Sequence, residues 1–160
     1  MFWNWEPGPK LTSISEPEFR VTLPGQWSQE PSPDSARWSY HTEAKNEQLT
    51  VSVPLVIARQ MSRDERVAGF KRVFEIRRRV ETKMPGFAAV AVTEPTFGEA
   101  DGRLAARYGG VDSERQRRFH CLLLASTRVV MIFYYEAVDM PESQSEGRAK
   151  AIFNSVVVRP

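Results

Sequence analysis

The chain has 160 residues, a formal net charge of +2 at pH 7 and a single cysteine. This length fits one domain, which buries roughly 70% of the surface that its unfolded chain exposes and needs no disulfide or metal for stability. The small net charge argues against a nucleic-acid or membrane-surface partner.

The first residues carry neither the basic nor the apolar segment of a secretory signal. The longest apolar runs are far shorter than the ~20 residues that a membrane-spanning helix needs. Cys121 lies in an apolar run, and a lone buried thiol suits a reducing compartment. We therefore expect a cytoplasmic protein without a membrane span.

Residues 1–17 are interpreted as an N-terminal arm, and residues 18–160 as one domain. The arm holds three prolines, and a short strand could form near residues 11–14. Trp3 and Trp5 would share one face of an extended arm. They either pack on their own domain or anchor a partner protein, because exposed tryptophan is enriched in binding hot spots.

A β-meander is predicted after the arm. Its strands are expected at residues 19–23, 37–42 and 48–56, where apolar and polar positions alternate. Pro24–Gly25 has the residue order of a type II turn, with proline at the second position and glycine at the third. Trp27 follows this turn and is expected to close the core.

A long helix follows the meander. Ser62 and Glu65 form a capping box at its start, and Pro85–Gly86 ends it. Apolar residues recur at helical spacing and predict one buried stripe. The stripe comprises Val67, Phe70, Val73, Phe74, Val80 and Met84.

A second β-meander is predicted from the return of a two-residue period. Its strands are expected at residues 88–92, 96–98, 103–111, 115–125 and 129–136. Asp101–Gly102 is a strong signal for a hairpin turn. Between Phe119 and Tyr135 the strands are apolar on both faces, whereas a sheet with one wet face would alternate. Helices are therefore expected to cover both faces of this sheet.

A second helix and a terminal strand close the chain. Ser143 and Glu146 form a second capping box, and Ala149, Ile152 and Phe153 form the apolar side of the helix. The strands occur in hairpin-linked groups rather than in alternation with helices, which favours antiparallel pairing. We predict an α+β fold, an α/β/α sandwich with a central antiparallel sheet covered by the long helix and the C-terminal helix.

The search for chemistry finds no catalytic or metal-binding arrangement. His120 and Cys121 are neighbours on a strand, so they point to opposite faces and suit neither a shared metal ion nor a catalytic dyad. His41 is interpreted as a surface or edge residue. Gly109–Gly110 lacks the context of a phosphate loop and indicates a strand bulge or a close backbone approach. We expect no cofactor and no enzyme activity.

Two groups of residues remain as candidate binding sites. Arg77, Arg78 and Arg79 give the long helix a basic face, which is either a solvated surface or a contact surface for an acidic protein. A pocket between sheet and helix could hold a small apolar ligand, unless the same side chains simply fill the core. Its predicted lining consists of Phe70, Phe74, Tyr108 and Tyr134.

Four segments carry a resemblance to a known superfamily. They are the opening strand and turn through Trp27, the long central helix, the paired strands through Tyr135, and the closing helix that leads into Phe153 and Ser155. In this order they resemble the PsbP-like superfamily, which includes the Ran-binding Mog protein, DcrB-like lipoproteins and the Eag chaperones of type VI secretion. The resemblance implies an α/β/α sandwich and a binding protein rather than an enzyme.

We therefore predict a non-catalytic protein-binding module. The resemblance suggests a type VI secretion-linked chaperone or adaptor, or an immunity protein, with an effector or toxin as its partner. The alternative is a small apolar ligand-binding protein. A sheet edge beside the tryptophan-bearing arm could also support a homodimer.

Overall fold

The computed structural model describes residues 10–32, 34, 36–57, 59–83, 90–92, 95–100 and 103–159. Trp3 and Trp5, the candidate anchors for a partner, lie outside the described residues. The predicted helix end at Pro85–Gly86 and the predicted hairpin turn at Asp101–Gly102 lie outside them as well.

The described residues form the predicted strands and helices in the predicted order, with one further strand at Trp27–Glu30 that was not predicted. The α+β fold class is confirmed. The elements are β1 (Leu11–Ser15), β2 (Phe19–Pro24), β3 (Trp27–Glu30), β4 (Arg37–Thr42), β5 (Glu47–Val56), α1 (Arg63–Lys83), β6 (Val90–Val92), β7 (Thr96–Ala100), β8 (Arg103–Asp112), β9 (Arg117–Ala125), β10 (Val129–Val138), α2 (Glu142–Asn154) and β11 (Val157–Val158).

The larger of the two sheets is antiparallel at every described pairing. Its strand order is β3-β4-β5-β10-β9-β8-β6, and β7 also pairs with β8. Strands β6 and β7 pair with opposite ends of β8, because Val92 lies opposite Gly110 and Thr96 lies opposite Arg107. The strand interruption predicted between them is therefore present.

Both faces of this sheet are buried at β9 and β10, as their apolar sequence predicts. On one face, Phe70 and Phe74 of α1 pack with side chains of β8, β9 and β10. On the other face, Ile152 and Phe153 of α2 pack with side chains from β5 and β10. Cys121 is buried on the α1 side, and His120 points toward α2.

A second sheet was not predicted. Strands β1, β2 and β11 form a small antiparallel sheet that shares the core on the α2 side. The chain passes from this sheet to the larger one at Gly25, whose φ of 93° fits the predicted type II turn. Thr12 fixes this transition, because its Oγ1 donates to the Gly25 carbonyl at 2.7 Å and accepts from the Trp27 N–H at 3.0 Å.

One helix start is confirmed and the other is wrong. The Ser62 hydroxyl accepts the backbone N–H of Glu65 at 3.2 Å, as the first capping box predicts. Helix α2 begins at Glu142, after Pro141, and Ser143 lies inside it rather than capping it. Pro141 has φ −57° and ψ 146°, so the helix begins directly after it without a side-chain cap.

A buried polar network ties α2 to the larger sheet. The Tyr135 hydroxyl donates to Glu47 Oε1 at 2.6 Å, and Arg148 donates to both carboxylate oxygens of Glu47. A guanidinium N–H of Arg148 also reaches the Pro24 carbonyl at 3.0 Å. This bidentate pair fixes the position of α2 against the sheet and against the turn that precedes β3.

Candidate interaction groove

Helix α1 leaves part of its side of the larger sheet uncovered. Its apolar side chains pack on β8, β9 and β10. On the same face, Ser52 lies opposite Ile132 and Thr50 lies opposite Tyr134. These β5 residues are polar and partly exposed, so the sheet changes from an apolar to a polar surface at the boundary between β10 and β5.

A groove of about 710 Å³ follows this boundary. Residues of α1 form one wall, residues of β5 and β10 form the floor, and residues that begin β4 form the other wall. The lining includes Asp34, Arg37, Gln48, Thr50, Ser52, Val73, Ile76, Arg77, Arg117, Ile132, Tyr134 and Glu136. The volume lies within the range of ligand and peptide sites in proteins.

The α1 wall of the groove combines a cation, an aromatic ring and an exposed aliphatic side chain. The guanidinium carbon of Arg77 lies 5.6 Å from the centre of the Tyr134 ring, within the range of a cation–π interaction. Tyr134 in turn stacks on Phe119 at 5.5 Å with an interplanar angle of 17°. Ile76 is 54% exposed at the lip of the groove.

Charged residues at the groove floor pair with one another. Arg117 contacts Glu136 at 3.2 Å and the buried Asp112 at 3.8 Å. Asp112 also accepts the backbone N–H of Arg115 at 3.3 Å, which fixes the turn between β8 and β9. The charges that face solvent along the groove are therefore mainly those of its walls, where Asp34 and Arg37 are both exposed.

The predicted site residues fall into separate places. Arg77 lines the groove, whereas Arg78 and Arg79 of the same helix are not among its lining residues. Phe74 and Tyr108 are buried against each other, with ring centres 5.4 Å apart. Phe70, the third residue of the predicted ligand pocket, is buried in the same cluster as Phe74 and Tyr108. Tyr134, the fourth, lines the groove instead. Whether either predicted set binds a partner or a ligand stays a prediction.

Sequence reasoning missed the groove, although two signals pointed to it. Ile76 is an apolar residue outside the predicted stripe of α1, on the face that carries the arginines. Gln48, Thr50 and Ser52 alternate with the buried Leu49 and Val51, which is the pattern of a strand with one wet face. Together they indicate an uncovered sheet surface beside the helix.

A second, smaller pocket of about 350 Å³ lies on the opposite face, between α2 and strands β8 and β9. His120 is partly buried there, and its Nε2 lies 3.4 Å from the hydroxyl of the fully buried Ser145. The Ser145 hydroxyl donates to the Glu142 carbonyl at 3.0 Å. Gly109 shows the close backbone approach that was predicted, because a Cβ there would lie 2.9 Å from the Phe119 carbonyl oxygen.

His120 should make the protein less stable at acidic pH. Burial, together with the positive charges of Arg107 and Arg118, lowers the pKa of His120 to about 4. Between the usual histidine pKa of about 6.5 and this value the unfolded chain binds a proton that the folded chain does not. The free energy of unfolding should therefore drop by about 2–3 kcal/mol as the pH falls from about 6.5 to about 4.

Urea unfolding at a series of pH values checks this expectation. Replacing His120 with glutamine should flatten the pH dependence across this window. Equal slopes for the wild type and His120→Gln would show that other groups cause the loss.

No group of three or more histidine, cysteine, aspartate or glutamate residues in the described part is placed to hold a metal ion. Of the helices that the structure describes, neither has the length and apolar character needed to cross a membrane.

The layered arrangement defines a PsbP-like fold. The structure is similar to that of cyanobacterial PsbP (CyanoP) from Synechocystis, with a TM-score of 0.65 and 9% identity over 99% of this chain and 98% of that chain. It is also similar to LpqN of Mycobacterium tuberculosis, a protein involved in cell envelope biogenesis, with a TM-score of 0.51 and 12% identity over 96% of this chain and 93% of that one. The PsbP-like resemblance is thus confirmed at the level of the fold.

No family model matches the chain, and no curated protein matches its sequence. At the identities of the two solved structures, the likeness concerns the fold alone.

Proposed function

We propose that the chain is a non-catalytic protein-binding module and that the groove beside α1 holds a segment of its partner. The observation that carries this proposal is the uncovered sheet surface beside α1, with Ile76 exposed at its edge. Arginine and tyrosine are enriched among the residues that contribute most to binding at protein interfaces, and Arg77 and Tyr134 lie in this groove.

The chemistry of the walls indicates the kind of segment that would fit. Val73, Ile76 and Ile132 offer an apolar surface for one aliphatic or aromatic side chain of the partner. Arg37 and Arg77 lie on the two walls, so an acidic residue next to that anchor would be attracted from both sides. We propose a partner segment that carries an apolar anchor beside an acidic residue.

The polar floor of the groove helps to distinguish a chaperone from an adaptor or an immunity protein, the functions expected from the sequence. A chaperone for membrane-spanning segments needs a broad apolar surface, whereas this floor contains Gln48, Thr50 and Ser52. The groove therefore supports an adaptor or an immunity protein, with an effector or toxin as the partner, better than it supports such a chaperone. A link to type VI secretion and a cytoplasmic location remain parts of the proposal.

A small apolar ligand is the rival occupant. The groove lies between sheet and helix, where that ligand was predicted, and Tyr134 belongs to its lining. Its polar floor and its charged walls would leave hydrogen-bonding groups unsatisfied under an apolar molecule, which costs free energy. Native mass spectrometry of the purified protein decides this point, since a retained small molecule would favour the rival.

The test of the proposal begins with affinity purification from the native cells and identification of a stoichiometric partner. The partner is then purified, and its affinity is measured for the wild type, Arg77→Glu and the matched control Arg79→Glu. Both variants change the same charge on the same helix, but only Arg77 lines the groove. Arg77→Glu should weaken binding by about tenfold or more, because it introduces repulsion toward an acidic residue.

Arg79→Glu should bind within about twofold of the wild type, as expected for a charge outside the contact. Equal losses in both variants would assign binding to the general basic face of α1 and not to the groove. Unchanged binding in both variants would place the interface elsewhere on the protein.

A further inference from the structure

We propose that the pocket between α2 and strands β8 and β9 is a binding site for a small carboxylate. This site lies on the opposite face of the sheet from the groove and does not depend on the proposed function. Its lining includes Arg107, Arg118, His120 and Ser145.

Arg107 and Arg118 line this pocket together with His120. Arg107 and Arg118 both lie close enough to His120 to disfavour its protonated form. Arg107 is held from the other side by Phe153, since its guanidinium carbon lies 5.1 Å from the centre of that ring. Arginine side chains fixed in this way are preorganised to bind a carboxylate through paired hydrogen bonds.

The charges around the pocket favour a singly charged anion. Arg107, Arg118 and Lys150 contribute three positive charges to the lining, and Glu142 and Glu146 contribute two negative ones. Arg118 is only weakly paired, because its NH1 lies 3.9 Å from Glu142 Oε2. With His120 neutral, one positive charge remains in excess. A monocarboxylate balances this excess, whereas a phosphate dianion would be repelled by the two glutamates.

The shape of the pocket depends on a glycine pair. Gly109 and Gly110 line it from β8, and a side chain at Gly109 would meet the ring of His120 at 3.5 Å as well as the backbone of β9. The absence of a side chain at Gly109 lets His120 lie close to β8. A volume of about 350 Å³ is sufficient for a ligand of the size of benzoate.

The test is an NMR titration of the full chain with acetate and with benzoate, and with inorganic phosphate and chloride as comparison anions. Saturable shifts are expected at the amides of Gly109 and Gly110 and at the ring of His120. The pKa of His120 should rise in the complex, because a bound carboxylate favours the imidazolium. Arg107→Gln should weaken benzoate binding by about tenfold or more, since each charge-assisted hydrogen bond lost has roughly that effect.

Arg118→Gln provides a second variant if Arg107→Gln does not fold. Arg72→Gln is the control, because Arg72 is exposed on α1 and lines neither pocket. The absence of saturable shifts with both carboxylates would overturn the proposal. Shifts that persist unchanged in the folded Arg107→Gln or Arg118→Gln variant would overturn it as well. Tighter binding of phosphate than of benzoate would contradict the assignment to a carboxylate.

Discussion

Replacing Phe74 with alanine should lower the free energy of unfolding by about 3–5 kcal/mol. Phe74 is 1% exposed, and its ring contacts Phe97 at 5.1 Å and Tyr108 at 5.4 Å, both in edge-to-face geometry. Truncation removes these contacts and leaves a cavity between α1 and β8, because a well-packed core relaxes only partly. Urea unfolding followed by circular dichroism measures the loss.

Ile76→Ala is the matched control for this prediction. Ile76 lies two residues further along the same helix but is 54% exposed, so its truncation should change the free energy of unfolding by less than about 1 kcal/mol. A loss for Phe74→Ala as small as that for Ile76→Ala would mean that Phe74 borders an open pocket rather than filling the core. That result would favour the predicted ligand pocket, whose lining consists of Phe70, Phe74, Tyr108 and Tyr134.

Replacing Glu47 with glutamine should lower the free energy of unfolding by about 3 kcal/mol. Glu47 is 5% exposed and accepts hydrogen bonds from Tyr135 and Arg148. Glutamine preserves the size of the side chain but removes the charge and turns one acceptor into a donor, so Arg148 keeps an uncompensated charge. The Arg148 side chain is 27% exposed, which places the expected loss at the lower end of the range for a broken buried ion pair.

Glu65→Gln provides the comparison for Glu47→Gln. Glu65 pairs with Arg59 at 2.8 Å on the exposed surface, so the same chemical change should leave the urea midpoint near that of the wild type. A double variant, Glu47→Gln with Arg148→Met, should regain part of the lost stability because the unpaired charge is gone. Equal midpoints for Glu47→Gln and Glu65→Gln would show that the buried network does not hold α2 in place.

The parts of the fold that could be predicted are those with a local signal. The strands between Phe119 and Tyr135 are apolar at both sets of alternating positions, so coverage on both faces followed from the sequence alone. The start of α1 was also predictable, because the Ser62 cap acts over only three residues. Trp27 followed a recognisable turn and is buried as expected.

The parts that could not be predicted depend on contacts between distant residues. Strand β11 has only two residues, and its place beside β2 is fixed by the pairing of Val157 with Arg20. The predicted start of α2 was wrong. The spacing of Ser143 and Glu146 matches a capping box, but the same spacing also occurs inside helices. Here the chain enters the helix directly after Pro141.

Both candidate sites also arise from long-range packing. The groove exists because α1 covers β8 to β10 and leaves β5 open. The sequence of α1 does not predict over which strands the helix packs. In the second pocket, His120 and Ser145 are 25 residues apart and meet only because α2 packs on β9. The sequence correctly predicted that His120 and Cys121 point to opposite faces of the sheet. It could not predict which residues of α2 lie next to His120.

Site-specific photo-crosslinking in the native cells tests the central claim, that the groove beside α1 binds a partner protein. A photoreactive residue is placed at Ile76, at the edge of the groove, and in a control at Val157, which is 38% exposed on the small sheet. We expect one partner to crosslink at position 76 and not at position 157, and Arg77→Glu to abolish that crosslink. A partner that crosslinks at position 157 alone, or a crosslink at position 76 that persists in Arg77→Glu, would contradict the account.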